Sequence, residues 1–133
     1  SFFTRNAERL NSKVTEFTKG TISFGPFIYD YGKVNQIYKK KIYSQDELPV
    51  IFTGWDTSVR HERNGIILRN FNVKNFREHV RSQLVAAKNN NSPIVILKSW
   101  NEWAEGNLLE PDSIFGNQLL EVFQGEIQLS SWE

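Results

Sequence analysis

Apolar positions along the chain change period several times, and each change marks an element. In "NAERLNSKVTEFTKG", Ala7, Leu10, Val14 and Phe17 recur at helical spacing, and Gly20 is a natural stop. "TISFGPFI" reads as a short strand interrupted by Gly25 and Pro26. The helical period returns in "DYGKVNQIYKKKI" at Tyr31, Val34, Ile37 and Tyr38, with Asp30 as the cap. Lys39, Lys40 and Lys41 then sit at the negative end of that helix, a simpler reading than a phosphate-binding patch. "LPVIFTGWD" predicts a second strand, apolar from Leu48 to Phe52. In "NFREHVRSQLVAAKNNN", Asn75 and Glu78 have capping-box spacing and Phe76, Val80, Leu84 and Ala87 form a buried stripe. The asparagines at 89–91 read as that helix's exit. "SPIVILKSW" predicts a third strand, apolar enough to be covered on both faces. A last helix runs through "FGNQLLEVFQ" and ends near Gly125, while the tail "EIQLSSWE" fits neither period clearly.

Strands that alternate with helices are the signature of parallel βα units, so the expected class is α/β. No linker, composition break or repeat divides the chain. "YDY" follows the first strand, "GWD" ends the second and "WNEWAE" follows the third. Sites in parallel βα architectures are built at strand carboxyl ends. Three polar-aromatic clusters at three equivalent exits therefore point to one shared face.

Composition narrows the chemistry. With 133 residues, 39% hydrophobic and 23% charged, the chain suits one domain with its own core. A net charge of +1 argues against a large nucleic-acid footprint. There is no cysteine, which removes disulfides and thiolate metal sites. His61 and His79 are the only histidines; their spacing resembles no zinc site, and His79, beside an apolar stripe, reads as a partly buried or surface residue. No phosphate-cradling glycine loop or "GxSxG" occurs, so no cofactor is expected. No apolar run approaches a membrane span, and "SFFTRNAERL" lacks the pattern of a signal peptide, which sets a cytoplasmic expectation.

The densest candidate chemistry lies in "SWNEWAEGNLLEP". Glu102 and Glu105, three apart, would have side-chain roots about 5–6 Å apart on a helical turn. Glycosidases hold paired carboxyls about 5–5.5 Å apart when retaining and about 6.5–9.5 Å when inverting. Such a pair could flank one glycosidic bond if the loop turns here; otherwise one glutamate caps amides and the other is solvated. Trp100, Asn101 and Trp103 beside them favour the functional reading. In "GWDTSVR", Asp56 and Arg60 either pair with each other and shape a loop or contact sugar. Trp55 is a stacking platform or a lid over the core. Tyr29, Asp30 and Tyr31 either face the same cleft or serve structure, Asp30 as the helix cap. Glu110, before Pro111, reads as a loop-fixing acceptor.

At "GWDTSVR" and "WNEWAEGNLLEPDSIFG" the chain resembles the carboxy-terminal part of WbsX-type proteins, relatives of glycoside hydrolase family 99 found among bacterial surface-polysaccharide biosynthesis proteins. The resemblance covers roughly residues 27–124. Where the family usually continues its Trp-Asp with Asn-Thr-Pro-Arg, this chain has Thr57, Ser58, Val59 and Arg60. The resemblance implies a (β/α)8 TIM-like barrel and a glycan substrate from lipopolysaccharide or capsule. It implies Glu102 as the base acting on a sugar 2-hydroxyl and Glu105 as the acid/base at the glycosidic oxygen. Related proteins are described as hydrolases and as glycosyltransferases, and a non-catalytic sugar-binding module is the alternative.

A complete barrel needs about 200 residues or more. Residues 1–133 with three strands are therefore expected to form a single partial domain, the carboxy-terminal portion of a barrel. Open strand edges pair readily with other chains. The chain is thus expected to self-associate, most simply as a two-fold dimer, or to be part of a longer polypeptide, unless the first helix folds over the open face.

Overall fold

The computed structural model describes residues 25–130, with Arg9, Ser12, Lys13 and Glu16 helical in the segment before them. The apolar stripe of the first expected helix and the start of the first expected strand lie outside the described residues. Strand β1 (Phe27–Asp30) leads into helix α1 (Tyr31–Lys39), followed by β2 (Val50–Phe52) and β3 (Trp55–Asp56). A short helix α2 (Ser58–His61) and a 3-10 turn (Glu62–Asn64) precede β4 (Ile66–Arg69) and the long helix α3 (Val73–Asn89). Then come β5 (Ile96–Lys98), β6 (Asn101–Glu102), a 3-10 turn (Trp103–Glu105), β7 (Asn107–Leu108) and α4 (Gln118–Ser130).

Parallel pairing is present, but not between consecutive strands. β1 pairs with β4 in parallel, β3 joins β4 antiparallel, and β2 pairs with β5 in parallel. β6 and β7 form a small antiparallel hairpin. The expectation of three strands is corrected to seven short ones among the described residues: "LPVIFTGWD" divides into β2 and β3, β6 and β7 add a hairpin, and β4 is new, its "IILR" too short to announce itself without its partner. No closed barrel forms among the described residues. Gly25 is held at φ +124, where a β-carbon would lie 1.7 Å from the Arg63 carbonyl oxygen, so only glycine fits before the cis Pro26.

Caps fix the helices. Asp30 Oδ1 accepts from the Lys33 amide at 3.0 Å, and its Oδ2 accepts from Asn70 Nδ2 at 2.6 Å. Those bonds to its charged form hold the Asp30 carboxyl below its ordinary range, the bond from Asn70 most strongly. α3 starts earlier than its sequence suggests. Asn72, in extended backbone, is the cap and accepts from the Asn75 amide at 2.9 Å; Asn75 is already inside the first turn, its side chain donating to the Asn70 carbonyl. α4 also departs from expectation, running through Gly125 to Ser130. A glycine inside a helix costs about 1 kcal/mol. Tertiary packing offsets that cost: Leu119 and Val122 are buried, and buried Glu126 takes a bidentate contact from Arg81 of α3, both bonds 2.9 Å.

The core has two parts. Phe76, Val80 and Leu84 of α3 meet Leu119 and Val122 of α4 over Ile51 and Leu109, as the stripe on α3 requires. On the other side of α3, Tyr31, Val34 and Phe52 form a second cluster. His79, expected partly buried or at the surface, is wholly buried there, its ring 4.1 Å from that of Phe52 and edge-on to Tyr31 and Tyr38.

Both faces of β2 are covered, at Ile51 and at Phe52, but β5 is covered on one face only. Ile51 and Leu97, paired in register, face the helices. Ile94 and Ile96, which alternate with Val95 and Leu97, are 53% and 42% exposed. The third strand is therefore not covered on both faces: its apolar run reports what could be buried, and the described residues supply a cover for one side only.

Candidate functional site

Two strand exits meet at one point, pinned by a residue that is neither charged nor aromatic. Beyond β2, the Thr53 amide donates to the Lys98 carbonyl at 3.3 Å, which aligns the ends of β2 and β5. The chain leaves β5 through a cis Lys98–Ser99 peptide and enters the β6–β7 hairpin. Gly106 closes the turn at φ +56, the left-handed region that favours glycine. Asn107, wholly buried, follows and donates from Nδ2 to the Gly54 carbonyl at 2.7 Å. Its own Oδ1 lies 2.9 Å from the Ser99 hydroxyl. Asn107→Ala would leave the buried Gly54 carbonyl without its donor, at a cost of about 1–3 kcal/mol. A matching loss in urea-unfolding free energy is expected, and an unchanged midpoint would show that the two exits are held by other contacts.

On this frame Trp103–Glu105 make one 3-10 turn, so Glu102 and Glu105 stand at either end of it. Arg60, from α2, reaches both: its NH2 is 3.5 Å from Glu102 Oε1 and its NH1 is 3.4 Å from Glu105 Oε1. Two carboxylates held on one guanidinium cannot be farther apart than its two contacts plus its own width. That bound is of the same order as the about 5–9.5 Å spanned by glycoside-cleaving pairs. Lys98, at the end of β5, takes the other oxygen of Glu105 at 3.1 Å and lies over the Trp55 ring, 5.1 Å from its centre. Trp103 is 64% exposed beside the pair and Trp100 is also largely exposed.

The other sequence candidates divide between site and scaffold. Asp56 and Arg60 do not pair: Asp56 Oδ1 accepts from the Ser58 amide at 2.9 Å and from its hydroxyl at 2.5 Å, shaping the start of α2, while Arg60 turns to the glutamates. Tyr29 is half-buried on β1, in register with Leu68, which is in turn in register with Trp55; Tyr29 and Trp55 thus share a sheet face. Tyr31 is core, its hydroxyl donating to the Phe52 carbonyl at 2.7 Å. Asn101 donates to Glu110 Oε2 at 3.2 Å, and Glu110 is the loop-fixing acceptor its position suggests.

Sequence reasoning passed over Lys98, Ser99 and Asn107. For Lys98 a signal existed: a lone cation closing an otherwise apolar strand at a site-bearing exit. Asn107 gave none, since its role depends on a carbonyl far away in the chain. Among the described residues no group of three or more His, Asp or Glu is placed to hold a metal ion, and no helix is long and apolar enough to cross a membrane.

Fold and site together define an α/β protein with paired carboxylates and exposed indoles at the carboxyl ends of parallel strands. The chain belongs to the family described as glycosyltransferase WbsX, whose model matches residues 2–123. The uncharacterized protein WxcX of Xanthomonas campestris pv. campestris strain B100 is 32% identical over 78 residues, covering 56% of this chain and 11% of the relative. WxcX of strain ATCC 33913 matches to the same extent. The match spans about a tenth of the length of these curated relatives. No solved structure matches the chain.

Proposed function

We propose that the chain is a piece of a carbohydrate-active enzyme, the carboxy-terminal portion of a (β/α)8 barrel related to glycoside hydrolase family 99. It works on glycans of bacterial surface-polysaccharide biosynthesis or turnover. The observation that carries this reading is the grouping of Glu102, Glu105, Arg60 and Trp55 from two separate strand exits. Glu102 takes the proton of a sugar 2-hydroxyl, whose oxygen attacks the anomeric carbon. The bond from that carbon to the glycosidic oxygen breaks as Glu105 delivers a proton to the leaving oxygen. Water then gives a proton to Glu105 and adds to the anomeric carbon; the new bond to the 2-oxygen breaks, and that oxygen recovers its proton from Glu102. An acceptor hydroxyl in place of water completes transfer. The uncovered apolar face of β5 fits a covering layer supplied elsewhere in a longer polypeptide. The segment alone is expected to cover that face with a second copy, a dimer by light scattering; a monodisperse monomer would show the face to be covered from within.

One observation favours a non-catalytic sugar-binding module instead: both carboxylates already have cationic partners. Either reading needs an aromatic platform. Titration of the full-length protein with oligosaccharides from the producing strain's own surface polysaccharide is expected to show Trp103→Ala binding about tenfold more weakly, the equivalent of about 1.4 kcal/mol. Equal affinity would remove Trp103 from the cleft. Turnover of the same oligosaccharides by the unsubstituted protein separates enzyme from binding module.

A further inference from the structure

Arg60 and Lys98 both touch Glu105, but they are held very differently. Arg60 reaches from a four-residue helix, is about half exposed, and makes contacts of 3.4 and 3.5 Å divided between two carboxylates. Lys98 ends a strand that is locked to β2, and it devotes its ammonium to one oxygen of Glu105 at 3.1 Å. The Trp55 ring backs that ammonium from 5.1 Å, so the cation has a carboxylate on one side and an aromatic face on the other. The two exits therefore meet through this one side chain as well as through Asn107. An arginine lying between two carboxylates occupies the space a sugar would need, and its long contacts make it the partner that gives way. Lys98 contacts the oxygen of Glu105 that Arg60 does not.

We propose that Lys98 is a positioning residue: it fixes the Glu105 carboxyl group relative to the Trp55 platform while Arg60 yields its place to the sugar. This rests on the functional reading above and deepens it, since neither the sequence motif nor the family assignment gives Lys98 a role. If Lys98 only stabilised the loop, any side chain that restored packing would restore function. If it positions Glu105, the charge at the end of a flexible stem is what matters.

The chain contains no cysteine, which allows a direct exchange of that charge. In the full-length protein, Lys98→Cys is expected to lower kcat for the polysaccharide oligosaccharides by about 10²-fold, the scale of a misplaced catalytic group, with KM changed less than about threefold. Alkylation of Lys98→Cys with 2-bromoethylamine rebuilds a lysine-like ammonium and is expected to restore kcat to within about threefold of the unsubstituted protein. Alkylation with iodoacetamide, which adds a neutral amide, is expected to restore nothing. The unsubstituted protein treated with each reagent controls for cysteines elsewhere in the polypeptide. Recovery with the neutral cap, or full kcat before alkylation, would overturn the role of Lys98. Glu105→Gln is assayed alongside: if it is inactive while Lys98→Cys is fully active, this inference alone fails. If Glu105→Gln is as active as the unsubstituted protein, the functional reading fails and takes the inference with it.

Discussion

In the full-length protein, Glu105→Gln is expected to reduce glycan turnover by about 10²–10⁴-fold, and Glu102→Gln by a similar factor, the usual contribution of a positioned acid or base. Glutamine keeps the length and shape of the side chain and can still accept a hydrogen bond from Lys98 or Arg60. What it cannot do is take up or release a proton in the reacting range. Both side chains lie at the surface of the turn rather than in the core, with Glu105 17% and Glu102 36% exposed, so the fold should survive the change. The two losses are not expected to add, because two groups serving one bond act as a unit. Steady-state rates for both single variants and the double variant check this, with circular dichroism to confirm folding. Single variants that turn over normally would remove the pair from the mechanism.

The second large effect is on stability against acid and comes from His79. Its imidazole is wholly buried among Tyr31, Tyr38 and Phe52, and neither ring nitrogen has a hydrogen-bond partner of good geometry. Burial pushes its pKa down from 6.5 to about 4, with a weak backbone contact to Val50 opposing. Well above pH 6.5 the group is neutral in folded and unfolded chains alike, and its burial costs no stability. Between pH 6.5 and about 4 the unfolded chain binds a proton that the folded chain refuses, so stability falls as pH falls. A depression of this size corresponds to a loss on the order of 3 kcal/mol across that window, with no further loss from His79 below it. His79→Phe keeps the aromatic packing and removes the titration. Urea unfolding from pH 7 to pH 4 is expected to show the original protein losing stability more steeply than His79→Phe. Parallel curves would mean that His79 is protonated in the fold.

Legibility in the sequence followed the range of the interaction. The stripe Phe76, Val80, Leu84 and Ala87 is a local pattern, and all four residues are buried as read. The cap of α3 lies three residues before the one its sequence suggests, because Asn72 and Asn75 are equally good capping types; only backbone conformation tells them apart. β4 is not legible locally because its four residues gain strand character from β1, far away in sequence. Gly125 suggested a helix end, yet the Arg81–Glu126 contact and the packing of Val122 carry α4 past it. The apolar run of β5 promised two covers, and composition cannot say where the second resides.

The site divides in the same way. Glu102, Glu105, Trp55 and Arg60 are chemically conspicuous at strand exits, and the folded chain brings them together. Of the two readings of Asp56 and Arg60, pairing with each other gives way to an Asx turn at Asp56 and to two better-placed carboxylates around Arg60. Lys98 and Asn107 act between exits more than forty residues apart, a distance that no local motif spans.

A crystal structure of the full-length Glu105→Gln protein with an oligosaccharide from the producing strain's surface polysaccharide bears most directly on the cleft. A sugar ring stacked on Trp55 or Trp103 is expected, with Arg60 displaced, the glycosidic oxygen within hydrogen-bond reach of the substituted side chain at 105, and Glu102 beside the 2-hydroxyl. An oligosaccharide bound at another surface, or a cleft still closed by Arg60 between the two side chains, would contradict it.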